Sequence, residues 1–333
     1  MSASATASAT APEDVKGIIL EALNVMREKE IAEKQAFKAR AYAKVMDQIR
    51  ALGPVRSYED VKGVEGVGPK IKAKLEEIFA TGGLAAAERA KKAHNLDAYG
   101  AFLDIYGIGP AKARALVAAG MCSVEELRAA AAKDTKLLNK NQQIGLKFYE
   151  DLLQRIPRAE MEFHARMLAA AAASCGIEEF AVVGSYRRGA DTSGDIDVLL
   201  RSEDPKDLQT FVAALAAAGY LVETLAFGEK KFMGISCIRK GYRVRRLDLL
   251  LTPPAEFPFA LLYFTGSDQF NIAMRKHALT LGYSLNEHGL TGVGGKGEAK
   301  GPFPSERSIF ECLGLVWKTP AERAAGAAAI EYA

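Results

Sequence analysis

The sequence predicts a multidomain α and α+β chain, all-helical in its N-terminal half and mixed in its C-terminal half. Three observations carry this. Residues from Val15 to about Leu153 show helical patterning among good helix formers. Beyond about Cys175 the texture changes, and AVVG (181–184), DIDVLL (195–200), FMGISCI (232–238) and VRRLDLLLTP (244–253) read as strands. GVGPKIKAK (66–74) and GIGPAKARA (107–115) form an internal repeat, each a glycine-rich turn opening a basic helix.

In chain order, a helical pattern from Val15 to about Ile49 is broken by Gly53-Pro54, and short helices then run to about Ala93. Helical patterning resumes over 96–153, interrupted by GIGP and by Gly120, and Arg155-Ile156-Pro157 closes it. A helix at about 158–175 precedes the strand region, and another at about 205–218 separates the second strand from the third. Helical signal returns at 256–281 and gives way to a Gly-rich stretch at 289–301 and an Ala-rich tail, 324–333.

The 333 residues suffice for two or three domains with real cores, and no segment approaches a membrane span. Cys122, Cys175, Cys237 and Cys312 have no paired spacing, which argues for free thiols in a reducing compartment and against zinc or disulfides. The start, MSASATASATAPED, lacks the arginines of a transit peptide and the apolar core of a signal peptide, so residues 1–14 are expected to be a disordered tail of an intracellular protein. The net charge of +3 is uneven: residues 1–93 carry 16 basic against 13 acidic side chains, and 34–74 carry 10 against 4. A local basic surface suits a nucleic-acid backbone as well as it suits a solvated helical face.

The repeat weights the first reading. Each Gly-apolar-Gly-Pro turn directs backbone amides and a helix N-terminus outward, a ready phosphate site. One copy fits a structural turn equally well. Two copies, each followed by basic residues, resemble the helix-hairpin-helix DNA-binding motif, whose backbone contacts are independent of sequence.

Asp195 and Asp197, two apart at the head of a strand, share one face, and Asp248 in RRLDLLL adds a third acid on another strand. Like charges so close are costly unless a cation holds them. Three carboxylates suit hard, oxygen-liganded ions such as Mg²⁺, and two such ions can activate a 3′-hydroxyl and stabilise a leaving pyrophosphate. A D-x-D pair alone is common in surface loops and calcium sites. Gly184-Ser185 with Arg187-Arg188, ten residues upstream, supplies a phosphate loop and points to a nucleotidyltransferase palm.

GSYRRG…SGDIDVLL, RRLDLLL, YFTGSDQFNIAMRKHA and VWKTPAERA, in that order from about Val15 to Arg323, resemble the family X DNA polymerases, the beta-type members most of all. The resemblance implies an all-helical N-terminal lyase domain with helix-hairpin-helix motifs, then a nucleotidyltransferase palm with a mixed sheet and flanking helical subdomains. It implies a 5′-deoxyribose-phosphate lyase-like domain at 15–93, a helical DNA-binding subdomain at 94–155, the palm at 156–262 and a nucleotide-selection subdomain at 263–333. Asp195, Asp197 and Asp248 become ligands of two Mg²⁺ ions, with Mn²⁺ as a substitute, and Asp248 becomes the base for the primer hydroxyl. Arg155, Ser185, Arg188, Ser193 and Gly194 match positions that hold the incoming triphosphate. Tyr263, Phe264 and Gly266 match the sugar pocket, Asp268 and Asn271 lie along the base, and Arg275 touches the template.

Within the N-terminal domain the resemblance makes Lys74 the Schiff-base lysine, and a nucleophilic amine must be neutral to attack. Lys38, Tyr42, Lys62 and Lys70 match DNA or phosphate contacts, and Gly66, Gly68, Gly107 and Gly109 form the hairpin turns, where a monovalent cation is also implied. The implied partners are gapped or primer-template DNA and deoxynucleoside triphosphates; the implied enzyme is a monomer of the nucleus, with an organelle or a virus as alternatives, and meets no membrane. Departures stand beside this. Gly83 and Leu250 occupy positions where the beta enzyme has a lysine and an arginine, and IRKGYRVRR (238–246) is short, which favours template dependence. Two rivals stay open: a template-independent nucleotidyltransferase and a non-catalytic DNA-end-binding scaffold.

Overall fold

The computed structural model describes residues 13–177, 179–297 and 299–333. The expected N-terminal tail lies, for residues 1–12, outside the described residues. Asp14, assigned to that tail, is anchored: its carboxylate accepts from the amides of Val55 at 2.8 Å and Lys16 at 3.1 Å. The chain forms two compact units that divide between Gln142 and Gln143.

The first unit is helical. α1 (Lys16–Ala32), α2 (Ala36–Ala51) and α3 (Pro69–Thr81) place apolar residues at i, i+3 or i, i+4 spacing on one face. Ile19 and Leu23, Val45 and Ile49, and Leu75 and Ile78 are fully buried in one core. α4 (Ala85–His94), α5 (Leu96–Leu103), α6 (Pro110–Ala118) and α7 (Val124–Lys133) follow. α3 and α6 each start on proline straight after a Gly-x-Gly turn, where a missing amide costs nothing. Ser123 caps α7 by accepting from the Glu126 amide at 3.1 Å.

α8 (Lys140–Lys147) spans the division, and α9 (Tyr149–Leu153) leads into β1 (Ile156–Pro157) and α10 (Arg158–Ser174). There follow β2 (Phe180–Val182), α11 (Gly184–Arg187), β3 (Thr192–Ser193), β4 (Ile196–Arg201), α12 (Pro205–Ala217), β5 (Leu221–Phe227), β6 (Lys231–Ser236) and β7 (Arg245–Thr252). The main sheet has the order β2-β4-β7-β6-β5, with β4 and β7 parallel and the other pairs antiparallel. β1 and β3 form a separate two-residue ladder.

The strand period of two sorts the central strands into two faces. Ile196, Val198, Leu200, Leu247, Leu249 and Leu251 pack with α10 and α12. Leu199 and Leu250 point the other way and meet Val183 and α13 (Phe257–Thr265). Asp197 and Asp248 share the parity of Leu199 and Leu250, so the acids stand on the α13 face.

The helical stretch expected at 256–281 is two helices. α13 ends at Thr265 and α14 (Asp268–Thr280) begins after Ser267, whose hydroxyl accepts from the Phe270 amide at 3.4 Å. β8 (Tyr283–Leu285) and β9 (Leu290–Gly292) make a hairpin, the latter inside the stretch read as Gly-rich, and α15 (Glu306–Cys312) follows. β5 is also additional to the expected strands. It is an edge strand with Val222 exposed, so it lacks the apolar run that betrayed β4 and β7. The last helical turns, 322–329, pack with α14 through the buried Arg323. No helix among the described residues is long and apolar enough to cross a membrane.

Candidate active site

Asp197 and Asp248 are direct partners in the parallel register of β4 and β7. Both lead into residues with no exposure, Val198 and Leu249, so the two carboxylates are fixed to the centre of the palm core. Burial, then the charge of Asp248, pushes the Asp197 carboxyl up to about 6. Asp248 is itself 7% exposed, and its Oδ1 has no hydrogen-bond partner. Two neighbouring carboxylates with one buried oxygen lacking a hydrogen bond are what a bound cation would neutralise.

Two cations stand beside the acids. Arg246 forms an ion pair with Asp195 through Nη2, and its Nε lies 3.8 Å from Asp248 Oδ1. Lys231, from β6, places Nζ 3.7 Å from Asp248 Oδ2. Arg246 precedes Asp248 by two residues and so faces the same side of β7. That spacing is visible in RRLD. Among the described residues no three acidic, histidine or cysteine side chains converge on a point that could hold a metal ion, and Asp195 is paired with Arg246.

The phosphate loop arrives from β2. The Val183 amide donates to Asp197 O at 2.9 Å, tying the end of β2 to β4. Gly184 then takes φ of +62°, and a Cβ there would lie 3.1 Å from Asp197 Oδ2. Only glycine gives both the turn and that approach. Ser185 donates to Ser193 Oγ at 3.0 Å, and Arg155 donates to Thr192 Oγ1 at 2.6 Å and Thr192 O at 2.8 Å. Four of the residues matched to the triphosphate therefore line one loop-and-ladder structure that ends in Gly194 and Asp195.

A cavity of about 330 Å³ opens on this edge. Gly184, Arg188, Asp197, Tyr263, Phe264, Gly266, Asp268, Asn271, Ile272 and Arg275 line it. It unites one metal-ligand candidate with six of the proposed nucleotide contacts and the proposed template contact; Gly184 and Ile272 are additional. Arg188 donates to Thr265 O at 2.6 Å, and Asn271 Nδ2 donates to Tyr263 O at 2.7 Å, so the α13–α14 turn is tied to the phosphate loop.

Behind that turn lies a buried charge network that the sequence did not reveal. Arg187 donates to Thr265 Oγ1 at 2.7 Å and to both oxygens of Glu306, at 3.0 and 2.8 Å. Arg323, fully buried against Phe270, Phe310 and Trp317, donates to Glu306 Oε1 at 2.7 Å. Burial raises the Glu306 carboxyl, but the hydrogen bonds from Arg187 and Arg323 outweigh it and leave it below the usual range.

In the first unit Gly107 has φ of +83° and packs against Gln142, whose Nε2 donates to Gly107 O at 3.0 Å. Gly66, Gly68, Gly107 and Gly109 are exposed, as backbone-binding turns require. Lys74, half-buried, donates to Lys70 O at 3.3 Å on the same face of α3. Lys38 lies 3.6 Å from Glu30, and Lys62 is ion-paired with Glu59. Tyr42 departs from its expected role on DNA. It is 7% exposed in the helical core, because its position on α2 continues the buried i, i+3 row of Ala39, Tyr42 and Val45.

Comparison with known proteins now bears on this geometry. Residues 155–254 match the family model for the DNA polymerase beta palm, and 260–324 that for its thumb. Residues 100–153 match the fingers domain of DNA polymerase lambda, and 17–84 a helix-hairpin-helix domain. DNA polymerase lambda of Rattus norvegicus is 33% identical over 325 residues, which is 92% of this chain and 56% of the relative. The chain belongs to the family X DNA polymerases.

DNA polymerase lambda of Arabidopsis thaliana is 29% identical over 297 residues, 81% of this chain and 54% of the relative. DNA nucleotidylexotransferase of Xenopus laevis is 25% identical over 357 residues, 94% of this chain and 69% of the relative. This family X chain spans little more than half the length of the two lambda polymerases. Family X polymerases use divalent metal ions, and the buried, unpartnered Asp248 Oδ1 beside Asp197 fits one.

Proposed function

We propose that the chain is a template-directed DNA polymerase that fills short gaps in base excision repair and carries an attached 5′-deoxyribose-phosphate lyase. The observation that supports it best is the register of Asp197 with Asp248 at the mouth of a cavity lined by Arg188, Tyr263, Asp268 and Asn271. Asp195, Asp197 and Asp248 would hold two Mg²⁺ ions, for which Mn²⁺ could substitute. The ions supply charge neutralisation for an in-line phosphoryl transfer from a deoxynucleoside triphosphate.

The chain's own groups do the rest. Asp248 accepts the proton of the primer 3′-hydroxyl through Oδ1, which has no hydrogen bond and only Arg246 Nε nearby, at 3.8 Å. Arg155, Ser185, Arg188, Ser193 and Gly194 grip the triphosphate, and Tyr263, Phe264 and Gly266 crowd the sugar. Asp268 and Asn271 orient the base, and Arg275 reads the template strand. Arg246 must leave Asp195 before that carboxylate is free to ligate.

In the first unit, Lys74 attacks the sugar aldehyde at a 5′ end held by Lys38, Lys62 and Lys70. The turns at Gly66-Gly68 and Gly107-Gly109 would bind DNA backbone and would be the place for a monovalent cation. The enzyme acts as a monomer inside the cell, in the nucleus first of all; its four free cysteines suit a reducing compartment. Primer extension on a one-nucleotide gap, with and without a 5′-phosphate, tests the reading. Extension without template would instead support the template-independent activity, and no Mg²⁺-dependent extension at all would leave only a DNA-binding scaffold.

A further inference from the structure

Arg245 and Arg246 are neighbours on β7 and serve opposite faces of the sheet. Arg246 meets the acids. Arg245 turns away from them, is 2% exposed, and uses nearly every donor it has. Its Nε and Nη2 donate to the two oxygens of Glu160, at 2.6 and 2.8 Å. Its Nη1 donates to Gln154 O at 2.7 Å and to Asp151 O at 3.4 Å. Asp151 also holds β7 in return, its carboxylate accepting from the Val244 amide at 3.0 Å.

These contacts span three elements. Asp151 and Gln154 belong to the end of α9, Glu160 to the first turn of α10, and Arg245 to the head of β7. The five residues between the clamped points, Arg155 to Ala159, include β1. That short strand pairs Ile156 with Ser193 and Pro157 with Thr192. Arg155, next to the clamped Gln154 carbonyl, grips Thr192 with two hydrogen bonds and leaves Nη1 free beside Gly194.

We propose that Arg245, with Glu160, is a positioning residue for nucleotide binding. It fixes the 154–158 strap so that Arg155 and the Thr192–Gly194 ladder stand at one distance from the carboxylates of β4 and β7. The bidentate geometry fixes the guanidinium in one orientation, and removing either partner would leave a buried charge unpaired. The strap's own ladder is two residues long, and the Arg158 amide adds a bond to Asp191 O at 2.8 Å; the clamp is the anchor that joins it to β7. The inference rests on the polymerase reading for the role of Arg155, and on geometry alone for the clamp.

The test compares wild type with Arg245→Lys, Glu160→Gln and Arg155→Ala, and with each clamp variant combined with Arg155→Ala, in single-nucleotide gap filling. KM for the nucleotide, kcat, gapped-DNA affinity and melting temperature are measured together. Arg245→Lys keeps the charge but loses the fork, and should raise the nucleotide KM about tenfold while changing gapped-DNA affinity less than about twofold. Glu160→Gln keeps an acceptor for Arg245 and should give a smaller rise in the same direction. In the Arg155→Ala background either clamp variant should add little, because the two act in series. A nucleotide KM unchanged in both clamp variants, or effects fully additive with Arg155→Ala, would overturn the proposal, whatever happens to melting temperature. Should Arg245→Lys fail to fold, Glu160→Gln decides alone. An inactive wild type would count against the polymerase reading instead. The clamp would then be judged by proteolysis at 154–158, which should speed up in Glu160→Gln; an unchanged rate would refute it.

Discussion

Arg246 occupies the space between Asp195 and Asp248, paired with the first and 3.8 Å from the second. It thus stands as an internal counter-charge to the acids proposed to bind metal. Arg246→Gln should lower the Mg²⁺ concentration for half-maximal extension severalfold, because a competing cation is gone. It should also lower the melting temperature in chelator, where the acids lose their partner. Titration of extension rate against Mg²⁺, with melting in EDTA, checks both; a raised Mg²⁺ requirement would contradict the competition.

Asp248→Ala should slow extension by on the order of 10³-fold or more, about 4 kcal/mol of transition-state stabilisation. Gapped-DNA affinity should hold, since the hairpin turns proposed to bind backbone lie in the other unit. Single-turnover rates and a DNA titration separate the two quantities. Near-normal turnover would remove the assignment of the acids.

Lys74→Ala should abolish most borohydride trapping on a deoxyribose-phosphate end and spare extension of an open primer-template. Trapping that persists would move the nucleophile to Lys70, whose carbonyl accepts from Lys74 on the same face of α3.

Leu250 packs in an apolar seam with Leu199, Val183, Phe257 and Ala260. Leu250→Arg should therefore act on stability first, costing about 2–4 kcal/mol by placing an unpaired charge in that seam. Urea unfolding measures it. A stable variant with a slower step before chemistry would show instead that an arginine there can engage the acids.

His164 is fully buried, hydrogen-bonded to Tyr220 at 2.6 Å, and burial lowers its pKa to about 4. The unfolded chain takes up a proton near pH 6.5, so between about 4 and 6.5 the unfolded state binds more protons than the folded one. Stability is complete above 6.5 and falls with pH through that window, by about 3 kcal/mol in all. Urea midpoints between pH 7.5 and 4.5 should show this fall. His164→Gln, which cannot ionise, should flatten it; an equally steep fall in that variant would assign the loss elsewhere.

How legible was this in the sequence? The acids were legible because β4 and β7 are buried on both faces and read as apolar runs with carboxylates at their heads. The phosphate loop was legible because Gly184 must take a left-handed turn and abut Asp197. Arg245 and Arg323 were not. A buried arginine and a solvated one are the same letter, and only the partners Glu160 and Glu306, 85 and 17 residues away, distinguish them. The break between α13 and α14 was written in Ser267-Asp268, a capping pair masked by continuous helix formers on both sides. Tyr42 was matched to a DNA contact by resemblance alone, and the helical spacing that puts it in the core was already in the sequence.

The parallel pairing of Asp197 with Asp248 binds the chemistry to the least forgiving part of the molecule. A surface loop that carries a catalytic group is free to wander over generations and be corrected by its neighbours. These carboxylates have no such latitude, since each is one peptide from a side chain with no exposure. A methyl group gained or lost at Val198 or Leu249 moves the acids as well as the core, and selection would feel both at once. The palm interior should therefore drift slowly across generations, leaving adaptation of substrate and context to α14, β5 and the hairpin of β8 and β9.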